Sequence, residues 1–121
     1  MLDHVTANVS DFDRAKDFYS KALAPLGYSM QMEFPGAAGF GPAEGMPDFW
    51  IGSSNERGAT HVAFRANDRA AVDAFFEAAT SAGGQDNGAP GLRPHYHESY
   101  YAAYVHDADG NNIEAVSHVP E

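Results

Sequence analysis

Alternating apolar and polar residues open the chain and return about halfway along it. Residues 4–9 read HVTANV, and residues 61–66 read HVAFRA, each with apolar side chains at every second position. A period of two residues predicts a β-strand with one face on a core. We therefore predict two strands, with His4 and His61 at equivalent places on the faces opposite the apolar side chains.

A helix pattern follows each of these strands. Ser-Asp at 10–11 and Asn-Asp at 67–68 are helix-start signals, and apolar residues then recur at helical spacing until glycines at 27 and 83–84 end the pattern. A shift of 57 residues superposes the two segments with six identities in the 24 positions from 4 to 27, where about one or two are expected by chance. The chain is therefore predicted to contain an internal repeat that opens β-α.

Strand patterns resume after each helix. They are predicted near residues 28–34, 37–41, 48–52, 99–106 and 111–118, the last two forming a hairpin. The Gly/Pro-rich stretch 83–94 is predicted as a loop that replaces a clean strand. The predicted fold class is α+β, with two tandem β-α-β-β-β modules, 1–56 and 57–121, in a single domain.

Composition narrows the classes of function. A chain of 121 residues with 44% hydrophobic content fits one globular domain. The absence of cysteine excludes disulfides, thiolate metal sites and cysteine nucleophiles, and it suits a reducing compartment. A net charge of −10 argues against a nucleic-acid surface. No signal peptide and no apolar run of about 20 residues is evident, so we expect a cytoplasmic protein without a membrane partner.

The two histidines suggest a metal site. If a pseudo-twofold axis relates the modules, His4 and His61 can converge on one point, and Glu114 in the motif NNIEAV shares a strand with apolar neighbours that make a lone carboxylate costly. Two histidines and one carboxylate form a facial triad that suits one divalent ion, Fe, Mn, Ni or Zn. The alternatives are surface or core histidines and a salt-bridged glutamate.

Three segments carry a resemblance to a known family. Residues 3–19 (DHVTANVSDFDRAKDFY), 60–66 (THVAFRA) and above all 100–118 (YYAAYVHDADGNNIEAVSH) are similar to the glyoxalase/bleomycin-resistance/extradiol-dioxygenase superfamily, also called the vicinal oxygen chelate superfamily. The resemblance implies a curved mixed sheet built from the two modules, a small-molecule substrate and a working homodimer. It also implies that His4, His61 and Glu114 are the metal ligands.

The resemblance bears on several further residues. Some members take a fourth ligand from the segment that reads DFWIGS here, where Trp50 cannot bind a metal, so the chain is closer to three-ligand dioxygenases and fosfomycin-resistance transferases than to glyoxalase I lyases. A tyrosine at the place of Tyr104 faces the metal in relatives and can hydrogen-bond a bound oxygen anion, although a core tyrosine is an equal alternative. His97, with His95 and Tyr96, lies in a loop that could carry protons or cover a pocket, or could equally be a solvated loop, and His118 is a less favoured ligand. Trp50, Phe40 and Tyr100 could line an apolar pocket, although aromatic residues are more often plain core. Arg65 and Arg93 are the nearby cations.

Two classes of function remain open at this point. One is a metal-dependent enzyme of lyase or dioxygenase type, in which the metal stabilises an oxyanion of a substrate with neighbouring oxygens or activates O2, with Glu114, Tyr104 and His97 as catalytic candidates. The other is a metal-idle protein that sequesters a small molecule in a dimer groove. The ligand trio favours the enzyme.

Overall fold

The computed structural model describes residues 2–55 and 60–121. Their elements follow in chain order as β1 (Val5–Val9), α1 (Phe12–Leu23), a 3-10 turn (Ala24–Leu26), β2 (Tyr28–Phe34), β3 (Ala37–Pro42), β4 (Phe49–Ser53), β5 (His61–Arg65), α2 (Arg69–Ser81), β6 (Gln85–Leu92), β7 (Tyr101–His106) and β8 (Asn112–Ser117). The order β-α-β-β-β occurs twice, as the repeat predicts.

The strands form two four-stranded mixed sheets with the same topology. The first has the order β1-β4-β3-β2 and the second β5-β8-β7-β6, and in each the first strand runs parallel to the last strand of its module. This confirms the predicted α+β class and the two-module fold. The predicted module boundary between residues 56 and 57 lies outside the described residues.

Helix caps and an apolar face explain where the helices form. The Asp11 carboxylate accepts a hydrogen bond from Arg14 N, and the Asp68 carboxylate accepts one from Ala71 N, so each aspartate satisfies a free amide of the first turn. The buried faces consist of Ala15, Phe18, Tyr19, Ala22 and Leu23 in α1 and Val72, Phe75 and Ala79 in α2. These faces pack on the inner sides of the sheets.

The predicted loop over residues 83–94 is wrong for most of its length, because residues 85–92 form β6. This strand lies at the edge of its sheet, and its pairing with β7 shifts register between Asp86 and Gly88 and again between Gly88 and Gly91. An edge position tolerates Pro90 and its missing amide hydrogen, and the glycines accommodate the irregular pairing. The strand therefore forms without the alternation that identifies the others.

The turn between β7 and β8 joins the two modules through the buried side chains of Asp107 and Asn111. Asp107 Oδ2 accepts hydrogen bonds from the Tyr19 hydroxyl at 2.6 Å and from Asn111 Nδ2 at 2.8 Å, while its Oδ1 accepts two backbone amides of its own turn. Ser10 of the first module donates its backbone N–H and its hydroxyl to Asp109. The acidic turn between β7 and β8 is thus tied to β1 and α1.

Within the described ranges, no helix is long and apolar enough to cross a membrane.

Candidate functional site

Glu114 is a buried carboxylate with a partner on each oxygen. It lies in the middle of β8, 2% exposed, between Ile113 and Ala115, which point into the core. Its Oε1 lies 2.8 Å from Nε2 of His61, and its Oε2 accepts a short hydrogen bond from the Tyr100 hydroxyl. Both oxygens are therefore satisfied, as a buried carboxylate requires.

His61 and Tyr100 approach the carboxylate from different elements. His61 is the first residue of β5, next to β8 in the sheet, and its side chain is 54% exposed above Glu114. Tyr100 directly precedes β7. Burial, followed by the hydrogen bond to Glu114, raises the pKa of the Tyr100 phenol. Tyr100 therefore keeps its proton at neutral pH and acts as a hydrogen-bond donor. We call these three residues the Glu114 cluster.

Tyr104 borders the Glu114 cluster. It pairs with Glu114 between β7 and β8, and its ring centroid lies 6.4 Å from that of His61. Burial, and then the negative charge of Glu114, raises the pKa of the Tyr104 phenol. The guanidinium of Arg93 lies 5.4 Å from the centre of the same ring. Across the sheet, Gly88 has φ +150° and leaves space for the ring, since a Cβ there would come within 2.8 Å of it.

His4 lies apart from the Glu114 cluster in the single chain. It immediately precedes β1, its Nδ1 lies 2.7 Å from Asp3 Oδ1, and it lines a cavity with Trp50. In residues 2–55 and 60–121, no three His, Cys, Asp or Glu side chains form a group that could hold a metal ion. The structure thus joins His61 and Glu114 but does not bring His4 to them within one chain, and the three-residue ligand set stays a prediction.

The strand register shows what replaces Glu114 in the first module. Thr6 pairs with Trp50, and Ala63, 57 residues later, pairs with Glu114. Trp50 is therefore the counterpart of Glu114. By the same relation Gly39, which pairs with Trp50, is the counterpart of Tyr104. A carboxylate beside a tyrosine in one sheet corresponds to an indole beside a glycine in the other.

The loop histidines lie further out. Nδ1 of His97 accepts a hydrogen bond from Ser99 N, and its ring lies 6.1 Å from the ring of His118. His118 packs edge-on against Tyr100 with a centroid distance of 5.2 Å. His97 is thus separated from Glu114 by two intervening rings, and its predicted catalytic role stays untested.

The remaining candidate residues lie in the core, beside Tyr100 or in a second cavity. Phe40 is fully buried and packs against Tyr19 and Phe49, so of its two suggested places, pocket wall or core, it takes the core one. The Tyr96 ring is tilted against the rings of His95 and Tyr100, with centroid distances of 4.2 and 5.1 Å. Arg65 lines a second cavity that also includes His4.

The donor set of the Glu114 cluster fits a divalent metal in part. An imidazole nitrogen and a carboxylate oxygen face each other at 2.8 Å, and both are usual ligands of Fe, Mn, Ni and Zn. Binding requires Nε2 of His61 without its proton, because the lone pair forms the bond to the metal. Tyr100 bonds to the other oxygen, so a metal at Oε1 would replace only the contact with His61.

Sequence reasoning missed the main contact of Tyr100. It identified Glu114 and His61 from strand alternation, but Tyr100 stands one residue ahead of β7, where alternation gives no direction for a side chain. The only available signal was the tyrosine-rich segment 100–104, which fixes no partner.

Comparison with known proteins identifies the family. The model of the Glyoxalase/Bleomycin resistance protein/Dioxygenase superfamily matches residues 1–115. The chain belongs to this superfamily. Members commonly use a divalent metal, typically bind small-molecule substrates and often form dimers, and the superfamily includes glyoxalases and dioxygenases.

Solved structures of glyoxalase/bleomycin-resistance/dioxygenase proteins share the fold. A glyoxalase/bleomycin resistance protein from Albidiferax ferrireducens T118 is 27% identical, with a TM-score of 0.85 over 97% of this chain and 98% of that one. A family enzyme from Burkholderia phytofirmans PsJN is 17% identical, with a TM-score of 0.75 over 97% and 98%. The fosfomycin resistance protein FosX from Mesorhizobium loti is 20% identical, with a TM-score of 0.69 over 97% and 91%. A comparison with curated protein sequences finds no match.

Proposed function

We propose that this superfamily member is a divalent-metal-dependent enzyme, of lyase or dioxygenase type, that acts on a small substrate with neighbouring oxygen atoms. The observation that carries the proposal is the buried Glu114 carboxylate, which faces an exposed imidazole nitrogen at 2.8 Å. A buried carboxylate is costly for folding unless its partners compensate. A ligand pair whose imidazole is exposed on the edge strand β5 gives that cost a function.

His61, Glu114 and His4 would hold the metal, which when bound supplies Lewis-acid stabilisation of a substrate oxyanion or binding of O2. The other residues act on geometry and protons. Tyr100 orients Glu114 through its hydrogen bond, and Tyr104, kept protonated by its raised pKa, can donate a hydrogen bond to a substrate oxygen anion. His97 would exchange protons with solvent from the outer loop.

A homodimer would supply the missing ligand. His4 and the Glu114 cluster lie on the outer faces of different sheets in one chain, so a twofold arrangement can place the first module of one protomer against the second module of the other. His4 of one protomer would then complete the pair from its partner. In such an arrangement two identical sites form per dimer.

Metal analysis of protein purified without chelators tests the proposal. We expect about one divalent ion per protomer, and loss of most of it in His61→Gln, in Glu114→Gln and in His4→Gln, because each substitution removes one ligand. His106→Gln serves as the matched control and should retain the metal. Equal binding by the Glu114→Gln variant and the wild type would contradict the proposal.

The alternative function is metal-idle binding of a small molecule by a dimer. It is supported by the absence of a three-ligand group within the described part of one chain. Metal-free protein that binds small molecules and takes up no Mn, Fe, Ni or Zn on titration would favour it.

A further inference from the structure

A cavity on the outer face of the first sheet combines an indole with carboxylates. It has a volume of about 370 Å³, and its wall includes Trp50, Met32, Met46, Asp3, Asp48 and His4. This volume lies at the lower end of the range for small-molecule sites, about 300–1,000 Å³, and is too small for a helix. We call it the Trp50 cavity.

The indole of Trp50 forms a fixed flat wall. Gly39 on the neighbouring strand lies directly beneath it, and a Cβ at Gly39 would come within 2.8 Å of the ring. The Phe34 ring lies nearly parallel to the indole, with a centroid distance of 6.3 Å and an interplanar angle of 14°. The ring lies over the counterpart of Tyr104, so the first module has an aromatic surface where the second has a polar pair.

Methionine side chains extend this surface. Met46 is 73% exposed, and Met32 is partly exposed. Thioethers adapt to the shape of a bound apolar group and make favourable contacts with aromatic rings. The exposed apolar area around Trp50 can therefore accept the body of a flat molecule without rearrangement of the core.

The charges around the cavity have one sign. Asp3 and Asp48 are acidic, and none of the described residues in its wall is Lys or Arg. Asp48 accepts a hydrogen bond from the Tyr28 hydroxyl, and Asp3 contacts His4, so both carboxylates are held beside the opening. Lys16 on α1 pairs with Glu33 and Asp13 and does not line this wall.

We propose that the Trp50 cavity binds a small organic cation with a flat, apolar body. A positive charge over the face of an indole is attracted by the ring electrons, and tryptophan is the best of the aromatic residues for this contact. The carboxylates of Asp3 and Asp48 add attraction of the same sign, and the protein's net charge of −10 raises the local concentration of cations.

The proposal names a ligand class for the same site as the proposed enzyme, and it rests on that proposed function for the placing of the ligand beside the metal through His4. The wall of the Trp50 cavity belongs to the first module alone. Binding to the Trp50 cavity is therefore tested with chelator-treated protein. A protein that binds no cation there and a protein that binds no metal then give different results.

Trp50 is the only tryptophan in the chain, so its fluorescence reports directly on the Trp50 cavity. Three phenyl compounds of similar size would be titrated: phenyltrimethylammonium, the neutral methyl phenyl sulfone and the anion benzenesulfonate. We expect a saturable change in emission, with the cation at least about threefold tighter than the neutral compound and the anion weakest. Equal affinities, or no saturable change, would overturn the proposal.

Methyl resonances locate the bound probe. With 13C-labelled methionine methyl groups, phenyltrimethylammonium should shift Met32 and Met46 and leave Met30, which lies outside the cavity wall, unchanged. Shifts confined to Met30 would place the probe elsewhere and overturn the assignment.

Two pairs of variants distinguish binding in the Trp50 cavity from general effects of a substitution. Gly39→Ala forces the indole to move and should abolish binding, whereas Gly52→Ala on the adjacent strand meets only Thr6 at an ordinary 3.5 Å and should bind as wild type. Asp3→Asn should reduce the preference for the cation more than Asp13→Asn on α1. Equal losses within either pair would contradict the proposal.

Discussion

Glu114 accepts one hydrogen bond from His61 and another from Tyr100, so its orientation is fixed in the free protein. The first contact follows from strand alternation and from the repeat, which place both residues on the same side of neighbouring strands. The second depends on how the chain enters β7, which no local pattern specifies. One of the two hydrogen-bond partners of the carboxylate was therefore predictable.

Tyr100→Phe is expected to weaken metal binding by about 10- to 100-fold, the usual cost of losing a group that orients a ligand. The substitution removes the donor to Glu114 Oε2 and leaves a buried oxygen unpaired, so the free energy of unfolding should also fall by about 1–3 kcal/mol. Calorimetric titration with Mn2+ or Zn2+ and thermal unfolding of the metal-free protein measure the two effects.

Tyr101→Phe is the matched control for this variant. The Tyr101 hydroxyl donates to Asp73 at 2.6 Å on the protein surface, away from Glu114. Its loss should leave metal affinity unchanged. If both variants bind metal as the wild type does, Tyr100 has no orienting role.

Trp50 also separates the reactions open to the protein. An indole at the counterpart of Glu114 cannot provide a fourth ligand, so we expect little or no conversion of the methylglyoxal–glutathione hemithioacetal. Spectrophotometric assay of lactoylglutathione formation with Mn2+-, Ni2+- and Zn2+-loaded protein tests this. Robust turnover that disappears in Glu114→Gln would show that the expectation is wrong.

At the scale of elements, alternation and helix caps predicted seven of the strands and both helices, with most boundaries within two residues of the structure. The exception is β6, which contains Pro90 and two glycines. Its formation depends on pairing with β7, a contact between segments that local composition cannot specify. Edge strands held by a neighbour are in general harder to identify than central ones.

The acidic turn between β7 and β8 should contribute strongly to stability. Asp107→Ala removes the acceptor of the buried Tyr19 hydroxyl and of three donors within the turn, and we expect a loss of about 3 kcal/mol in the free energy of unfolding. Chemical denaturation measures it. Asp17→Ala, which removes an exposed ion pair with Lys21, should change stability by less than about 1 kcal/mol.

The Tyr19 hydroxyl, which bonds to this turn, should make the free energy of unfolding fall at alkaline pH. Burial, and then the charge of Asp107, raises the pKa of Tyr19 well above its ordinary 10.0. Above about pH 10 the unfolded chain releases this proton while the folded chain retains it, so the stability is complete below that pH and falls as the pH rises. In denaturation curves from pH 8 to 11, the decline should be shallower for Tyr19→Phe than for the wild type. Parallel curves would exclude this contribution.

At the scale of the whole molecule, duplication gives two sheets with the same topology and different outer faces. One carries His4 and the Trp50 cavity, and the other carries the Glu114 cluster. The sequence predicted that the histidines occupy equivalent positions, and the register supports this equivalence. It could not predict whether they meet within one chain, because packing between modules is decided by contacts such as that of Phe64 with Phe49 and Tyr28.

Mixed dimers distinguish a site shared between protomers from one completed within a chain. If His4 acts across the interface, a dimer of one His4→Gln and one Glu114→Gln protomer contains one intact site and one with both ligands lost. Equal amounts of the two variants, denatured and refolded together, should therefore recover roughly a quarter of the wild-type metal capacity by statistical pairing. Each variant refolded alone should recover little.

The control for this experiment is a mixture of His61→Gln with Glu114→Gln. Both residues belong to the same half of the site, so every site in that mixture lacks a ligand and no capacity should return. Light scattering must show dimers in both mixtures, at twice the 13.0 kDa chain mass. Recovery in neither mixture, with dimers present, would contradict sharing of the site, and recovery in both would indicate that single ligands are dispensable. Recovery in the first mixture alone would mean that one chain supplies His61 and Glu114 and its partner supplies His4.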